Sequence, residues 1–233
     1  MIETDHHIGR VLDFLKTSGV DDNTLVVFTS DNGPEKSWPA RIKDFDHDSR
    51  GGLKQGKRSV YEGGHRVPFL VRWPNGIMQP GRQWNKIVGQ VDLLATFADL
   101  LGTELPATAG EDSQSFAAVL RNPDADYDRV PLITHGNGGK IAQRYAITIG
   151  DWKLIMPNQN NKLELYNLLE DRAEKNNVAS ANSERVAQMK MELNQIISRG
   201  RSTAGPAQPN DTKWWDDLNW MTKDEYRKLS KEN

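Results

Sequence analysis

Apolar residues recur at helical spacing near the start of the chain and predict an amphipathic helix. Its apolar face is formed by Ile8, Val11, Leu12 and Leu15. Residues 24–30 then form a continuous apolar and β-branched run, typical of a buried strand in a parallel-type sheet. A second run of this kind covers residues 67–73, and a helix over 91–101 is closed by Gly102. No strand precedes the first helix, so we expect an α/β fold whose earlier strands lie outside this sequence.

The pattern changes at about Pro106, where polar loops begin to alternate with short apolar segments. Four short strands are predicted at residues 130–134, 144–149, 152–156 and 163–166. Gly150 and Asp151 separate two of them and predict a tight hairpin, and a helix is predicted over 184–197. Antiparallel strands followed by a helix indicate a small α+β subdomain.

These patterns predict three parts. Residues 1–105 are expected to be the later part of an α/β domain, residues 106–200 a four-stranded antiparallel sheet with a helix, and residues 201–233 a polar tail. The tail contains three tryptophans, Trp214, Trp215 and Trp220. Such side chains can stack on a sugar ring or anchor a tail to the body of a protein. We favour anchoring, because amphipathic aromatic side chains in polar tails commonly serve that purpose.

Composition excludes several classes of function. The 233 residues carry a net charge of −2, so no broad positive field attracts nucleic acid. No apolar run is long enough to cross a bilayer, and the first residues lack the basic and apolar pattern of a signal peptide. The chain has no cysteine, which excludes disulfides, thiolate metal sites and a cysteine nucleophile.

The first candidate site residues are Asp31 and Asn32, which follow the first predicted strand. Ligands of open α/β sheets collect beyond the carboxyl ends of the strands. Carboxylate and amide oxygens are hard donors that suit calcium or magnesium, and Gly33 permits a sharp turn after them. The same tripeptide is also a common turn former, so the local pattern leaves a plain turn open.

The second candidate is Lys57, which has Gly56 before it and a Gly63-Gly64 pair after it. The glycines indicate tight backbone on both sides, and a predicted strand follows. A lysine held in this way could contact an anionic oxygen. A solvated surface lysine is the alternative that spacing alone leaves open.

Together these segments closely resemble the type I sulfatase family. The resemblance rests on Ser-Asp-Asn-Gly-Pro at residues 30–34, on Gly-Lys and Glu-Gly-Gly-x-Arg-Val-Pro within 56–68, and on Arg-Trp-Pro at 72–74. Arg-Gly-Gly at 50–52 is most similar to the arylsulfatase A and N-acetylgalactosamine-6-sulfatase branch. Further matching segments lie at residues 92–97, 150–155 and 164–168, followed by Asp171, Glu174 and Asn177. The resemblance covers roughly residues 1–200.

The resemblance implies an alkaline-phosphatase-like sandwich with a C-terminal antiparallel subdomain, and a calcium-dependent hydrolysis of sulfate esters. Asp31 and Asn32 would be two calcium ligands, and Lys57 would bind the sulfate ester and stabilise negative charge as the S–O bond breaks. The family nucleophile is a formylglycine hydrate, and sulfated carbohydrates are a candidate substrate class. Members are often exported, periplasmic or lysosomal. Glu62 would hold the glycine turn rather than take part in the chemistry.

The family makes its formylglycine from a Cys or Ser in a Cys/Ser-x-Pro/Ala-x-Arg motif that precedes the Asp-Asn-Gly strand. That region is absent here, so we expect no activity from this chain alone. Ser37-Trp38-Pro39-Ala40-Arg41 fits the pattern literally, but it follows the strand and lacks the Leu-Thr-Gly of the true motif. We therefore interpret it as an accidental match.

The histidines are weaker candidates. His47 lies in the loop before Lys57, and His135 ends a strand of the C-terminal subdomain, so both are candidate substrate contacts. His65 occupies a variable position of the Glu-Gly-Gly-x-Arg segment and is interpreted as structural. Asp5, His6 and His7 belong to the polar face of the first helix rather than to a metal site.

Two alternatives stay open. Phosphatases and phosphodiesterases of the alkaline phosphatase superfamily commonly have Asp-His-Gly at the strand end, where imidazole suits zinc or manganese. Asn32 in that position favours calcium and sulfate. The second alternative is a non-catalytic truncated product that acts at most as a binding module.

Overall fold

A computed structural model of the chain describes residues 2–137, 144–158, 162–212 and 214–232. Its first part contains helices α1 (Ile2–Thr17), α2 (Trp38–Phe45), α3 (Glu62–His65), α4 (Leu93–Leu100) and α5 (Ala117–Arg121), with strands β1 (Val26–Thr29) and β2 (Phe69–Arg72). The second part contains strands β3 (Leu132–His135), β4 (Tyr145–Ile149), β5 (Trp152–Ile155) and β6 (Glu164–Asn167), then helices α6 (Ser183–Arg199) and α7 (Lys223–Glu232).

Strands β1 and β2 correct one sequence-based prediction. They pair antiparallel, with Val26 opposite Arg72 and Thr29 opposite Phe69, whereas the apolar run had indicated a parallel-type position. They are also not fully buried, because Phe28 and Leu70 are 39% and 57% exposed. An apolar run indicates a strand that can be covered on both faces, but it does not encode the direction of its neighbour.

The C-terminal subdomain matches the prediction closely. Strands β3 to β6 form one antiparallel sheet in chain order, and each predicted strand lies within two residues of the observed one. The hairpin between β4 and β5 turns at Gly150, whose φ of +54° is the left-handed conformation that glycine adopts readily.

Helix α6 covers one face of this sheet. The core between them contains Ile147, Leu154, Leu165 and Leu193, each fully buried, which explains why the helix forms over this segment. The helix ends at Gly200, which has a φ of +68° and donates its N–H to the carbonyl of Ile196.

Trp220 anchors the tail to the body of the protein, as expected, whereas the ring contacts of Trp214 and Trp215 lie within the tail. Trp220 packs against the α6 core and donates its indole N–H to Oδ1 of Asn194 at 2.9 Å. Trp214 and Trp215 both contact the ring of Tyr226 on α7 at edge-to-face angles. None of the helices among the described residues combines the length and the apolar character that a membrane crossing requires.

Candidate active site

The site begins with the sharp loop after β1. Gly33 is buried and donates its N–H to the carbonyl of Gly64 at 2.9 Å. A Cβ atom at residue 33 would overlap the carbonyl oxygen of Gly63, so only glycine fits this approach. The contact joins the Asp31-Asn32 loop to the glycine turn, 31 residues after Gly33.

A second contact fixes Lys57 to the same loop. The backbone N–H of Lys57 donates to the carbonyl of Pro34 at 2.9 Å. A Cβ at Gly56 would lie 2.7 Å from that carbonyl oxygen and 3.2 Å from the Trp38 ring, so a larger residue would push the lysine segment away. The two segments singled out from the sequence therefore lie against each other.

The ammonium group of Lys57 is accessible and only loosely paired. Its Nζ lies 3.4 Å from Oε2 of Glu35, and its side chain is one third exposed. The pKa of Glu35 is lowered, first by the backbone N–H of Lys36 and then by Lys57. An anion that reached Lys57 would compete with this exposed carboxylate, an exchange that costs little because surface ion pairs are weak.

Asp31 and Asn32 offer oxygen atoms that fit a hard cation. Asp31 is exposed, and Asn32 donates its Nδ2–H to the carbonyl of Gly33 at 2.9 Å. That bond uses the nitrogen of the amide and leaves Oδ1, the atom that a metal would need, outside it. Within the described ranges, no group of three or more His, Asp or Glu side chains is arranged to hold a metal ion. The donor set is therefore chemically suitable and incomplete.

A buried ionic network lies under the glycine turn. Nζ of Lys153 on β5 lies 2.9 Å from Oε1 of Glu62, 2.9 Å from Oε1 of Glu174 and 3.0 Å from Nε2 of His65. Lys153 is fully buried and both glutamates are nearly so. Glu62 also pairs with the guanidinium of Arg66 and donates its backbone N–H to Oε2 of Glu174 at 2.7 Å. The expectation that Glu62 holds the turn fits these contacts.

The network shifts the ionisation of its members. Burial alone would raise the pKa of Glu62, but the charges of Lys153, His65 and Arg66 outweigh it and lower that pKa to about 2. Burial, together with the neighbouring ammonium of Lys153, lowers the pKa of His65 to about 4. Burial raises the pKa of Glu174. At neutral pH we therefore assign an ionised Glu62 and a neutral His65.

The two candidate histidines lie in different places. His135 ends β3, stacks on the ring of Tyr145 with centroids 4.5 Å apart, and has a pKa lowered by burial. It contributes to the wall of an open cavity of about 990 Å³ that also includes Asp31, His65 and Arg66. His47 lies on the exposed loop after α2, outside that wall. The structure therefore brings His135 and Asp31 to one cavity and leaves His47 apart.

The Ser37-x-Pro-x-Arg segment has an ordinary structural explanation. Ser37 immediately precedes α2, and Pro39 stands in the first turn of that helix, where its missing N–H costs nothing. The carbonyl of Ser37 accepts the N–H of Arg41 as part of the helix start. This helix was not predicted, because the segment reads as a polar loop.

Sequence reasoning missed Lys153 and Glu174 as members of the site's support. Two signals were available: a lysine inside the apolar run of residues 152–156, and Glu174 in the segment after β6. A lysine in a fully apolar strand needs a buried partner, but the pattern does not say which carboxylate provides it.

Comparison with known proteins gives consistent findings. The family model described as Sulfatase matches residues 1–103, and the model described as N-sulphoglucosamine sulphohydrolase, C-terminal, matches residues 54–201. The N-acetylgalactosamine-6-O-sulfatase of Bacteroides thetaiotaomicron is 33% identical over 217 residues, which cover 85% of this chain and 41% of that protein.

Two solved structures agree with this. One, described with the metabolism of multiple glycosaminoglycans by Bacteroides thetaiotaomicron, has a TM-score of 0.73 at 30% identity and covers 84% of this chain and 43% of its own. The other is Ps i-CgsB in complex with k-i-k-neocarrahexaose, with a TM-score of 0.67 at 29% identity. The match covers 88% of this chain and 43% of that one. The chain thus spans about two fifths of the relatives it matches, and its fold is the later part of their alkaline-phosphatase-like α/β architecture. The chain belongs to the sulfatase family.

Proposed function

We propose that this chain supplies the sulfate-binding lysine and two calcium ligands of a site that hydrolyses sulfate esters. The observation that carries the proposal is the double contact between the Asp31-Asn32 loop and the Lys57 segment, made through Gly33 and Pro34. These backbone hydrogen bonds hold the loop that carries the hard oxygen donors against the segment that carries an accessible ammonium group. Family membership makes sulfate the anion that this pairing would serve.

Calcium fits the donors that are present, and Asp31 and Asn32 would hold it. When bound, it would supply a positive charge that polarises the oxygens of a sulfate group. Lys57 would donate hydrogen bonds to a sulfate oxygen, and its charge would stabilise the negative charge that develops as the S–O bond breaks. Glu35 would release the ammonium group when the ester enters, because an anion with several oxygens offers Lys57 more acceptors than one exposed carboxylate does.

Formylglycine does not fit any residue of this chain. The chain has no cysteine, and the one serine in a matching pattern, Ser37, stands at the start of α2. We therefore propose that the nucleophile comes from polypeptide other than these 233 residues, and that this chain by itself does not turn over sulfate esters.

Sulfated carbohydrates are the proposed substrate class. One similar protein is named for N-acetylgalactosamine 6-O-sulfate, and another was solved with a neocarrahexaose. His135 is the histidine better placed to contact such a ligand, since it shares a cavity wall with Asp31. His47 is proposed as a contact at the outer edge, where its exposed loop could meet a larger substrate.

Calorimetric titration of calcium into the purified chain tests the metal assignment. We expect weak binding that is lost in Asp31→Ala and unchanged in Asp13→Ala, a matched change on exposed α1. Titration with N-acetylgalactosamine 6-sulfate then tests Lys57: Lys57→Met should weaken binding at least tenfold, about 1.4 kcal/mol, whereas Lys36→Met should not.

Three results would contradict these assignments. Tighter binding of zinc than calcium, or of an aryl phosphate than an aryl sulfate, would favour the phosphatase alternative. Turnover of an aryl sulfate by the chain alone, abolished by Ser37→Ala, would show that the nucleophile is present after all.

A further inference from the structure

Lys153 lies on an inner strand of its sheet, where burying a charged ammonium group carries a large desolvation cost. It lies on β5 between Trp152 and Leu154, none of its surface is exposed, and its ammonium group is shared by two carboxylates. Buried ion pairs of this kind are often no more stabilising than well-packed apolar residues of similar volume. Stability by itself therefore does not account for a lysine in this position.

The contacts of Lys153 lead to the candidate site in two steps. Glu62, its partner at 2.9 Å, is the first residue of α3 and has its backbone N–H held by Glu174. The next two residues, Gly63 and Gly64, form the surface on which Gly33 packs, and the carbonyl of Gly64 accepts the Gly33 N–H.

The same turn also supports the lysine segment. The N–H of Gly63 donates to the carbonyl of Lys54 at 2.9 Å, three residues before Lys57. A Cβ at Gly64 would overlap the carbonyl of Ser59, two residues after Lys57. Movement of the glycine turn would therefore displace both the loop of Asp31 and the segment of Lys57.

We propose that Lys153 and Glu174 are positioning residues of the site: from the C-terminal subdomain they fix Glu62, and through the Gly63-Gly64 turn they set the distance between Asp31-Asn32 and Lys57. This proposal rests on the proposed function, which makes the distance between the calcium ligands and the sulfate-binding lysine important. The mechanical coupling between Lys153 and the two segments can be measured whether or not that function is correct. Neither residue lines the open cavity, so both act through Glu62, and Lys153 also acts through His65.

Amide hydrogen exchange in the full 233-residue chain, followed by NMR at pH 7, tests the coupling. The variant is Lys153→Met, which keeps length and volume and removes the charge. The matched control is Leu193→Ala, which destabilises the α6 core on the sheet without contacting the turn. The informative amides are those of Gly33 and Lys57, compared with the amide of Leu165, which donates to Oδ1 of Asn177 beside the second sheet.

We expect Gly33 and Lys57 to exchange at least about tenfold faster in Lys153→Met, relative to Leu165. In Leu193→Ala we expect no such preference for the site amides, because Leu165 shares its core with Leu193 and should accelerate at least as much as they do. Equal acceleration of all three amides, or no acceleration, would overturn the proposal, because a merely structural lysine would change the site and the core together. If Lys153→Met does not fold, Glu174→Gln replaces it, with an expected threefold effect in the same direction and the same overturning result.

Titration of the wild-type chain with inorganic sulfate separates this proposal from the proposed function. A sulfate-dependent shift of the Lys57 amide resonance supports both. If the exchange ratios change as expected but sulfate produces no shift, Lys153 is mechanically coupled to the two segments and the assignment of Lys57 to sulfate fails. In that case Lys153 and Glu174 are not positioning residues of a sulfate site.

Discussion

Gly33 is the residue on which the contact between the two site segments depends, since a Cβ there would overlap the carbonyl oxygen of Gly63. We predict that Gly33→Ala lowers the free energy of unfolding by about 2–3 kcal/mol, because two backbones must separate. Urea denaturation measures this change. Gly9→Ala is the control: Gly9 lies on α1 with open space around it, and there alanine should stabilise the chain by about 0.5–1 kcal/mol. Equal effects of the two changes would refute the close approach.

His65 gives the chain a defined pH response. It faces Lys153, Glu62, Arg66 and the carbonyl of Val60, and burial together with Lys153 lowers its pKa to about 4 in the folded chain, from an ordinary value of 6.5. Between these values the unfolded chain binds the proton more readily, so the contribution is complete above pH 6.5 and is lost as pH falls towards 4.

We therefore predict that the wild-type chain loses about 2 kcal/mol more stability between pH 7 and pH 5 than His65→Gln does. The measurement is urea denaturation at the two pH values. His7→Gln, on the exposed face of α1, serves as the matched histidine change and should behave as wild type. A His65→Gln variant with an unchanged pH response would show that folding does not lower the pKa of this imidazole.

Single residues also show what the sequence could reveal. Asp31, Asn32 and Lys57 could be selected because strand ends, glycines and hard donors leave local patterns. Lys153 and Glu174 could not be connected to the site, since their partner Glu62 lies 91 and 112 residues away along the chain. Pairing over such distances is decided by the packing of the whole fold.

At the scale of elements, helix α6 and the four-stranded sheet support each other. We predict that Leu193→Ala costs about 2–5 kcal/mol of stability, because Leu193 is fully buried between them and the cavity would not fill. Met191→Ala on the exposed side of the same helix should change stability by less than about 0.5 kcal/mol. Thermal or urea unfolding measures both, and similar costs would mean that the helix does not face the sheet as described.

Elements with a strong apolar pattern were predicted from the sequence, and polar ones were not. The strands of the second sheet and α6 lie within two residues of their predicted bounds, because alternation and helical spacing were clear. Helix α7 was missed because charged residues dominate its segment, and α2 because a mixed polar segment with Pro39 resembles a loop. The short helices α3 and α5 were missed because four or five residues are too few to show a helical period. The antiparallel pairing of β1 and β2 was also missed, because it depends on topology rather than on local pattern.

At the scale of the whole molecule, we propose the division into residues 1–105, 106–200 and 201–233, with the Lys153 network joining the first two parts. The first part leaves an apolar surface uncovered: Phe28 and Leu70 are paired across β1 and β2 and both are exposed. Exposed apolar pairs on a strand promote association.

We predict that the isolated chain self-associates through this surface and that Leu70→Lys reduces the association. Sedimentation velocity over a range of concentrations measures it. Leu169→Lys, an equally drastic change at a residue that is 71% exposed elsewhere, should leave association unchanged. Concentration-independent sedimentation of the wild-type chain would contradict the prediction.

The burial of Lys153 has a chemical consequence. An ammonium group without exposed surface is out of reach of acylating reagents while the turn is closed, whereas Lys57, one third exposed, can react at once. Acylation of Lys153 could take place only after the network had opened, and the neutral product could no longer separate the carboxylates of Glu62 and Glu174. The opened form could then not close again, so the fraction of chains acylated at Lys153 would report how often the network opens.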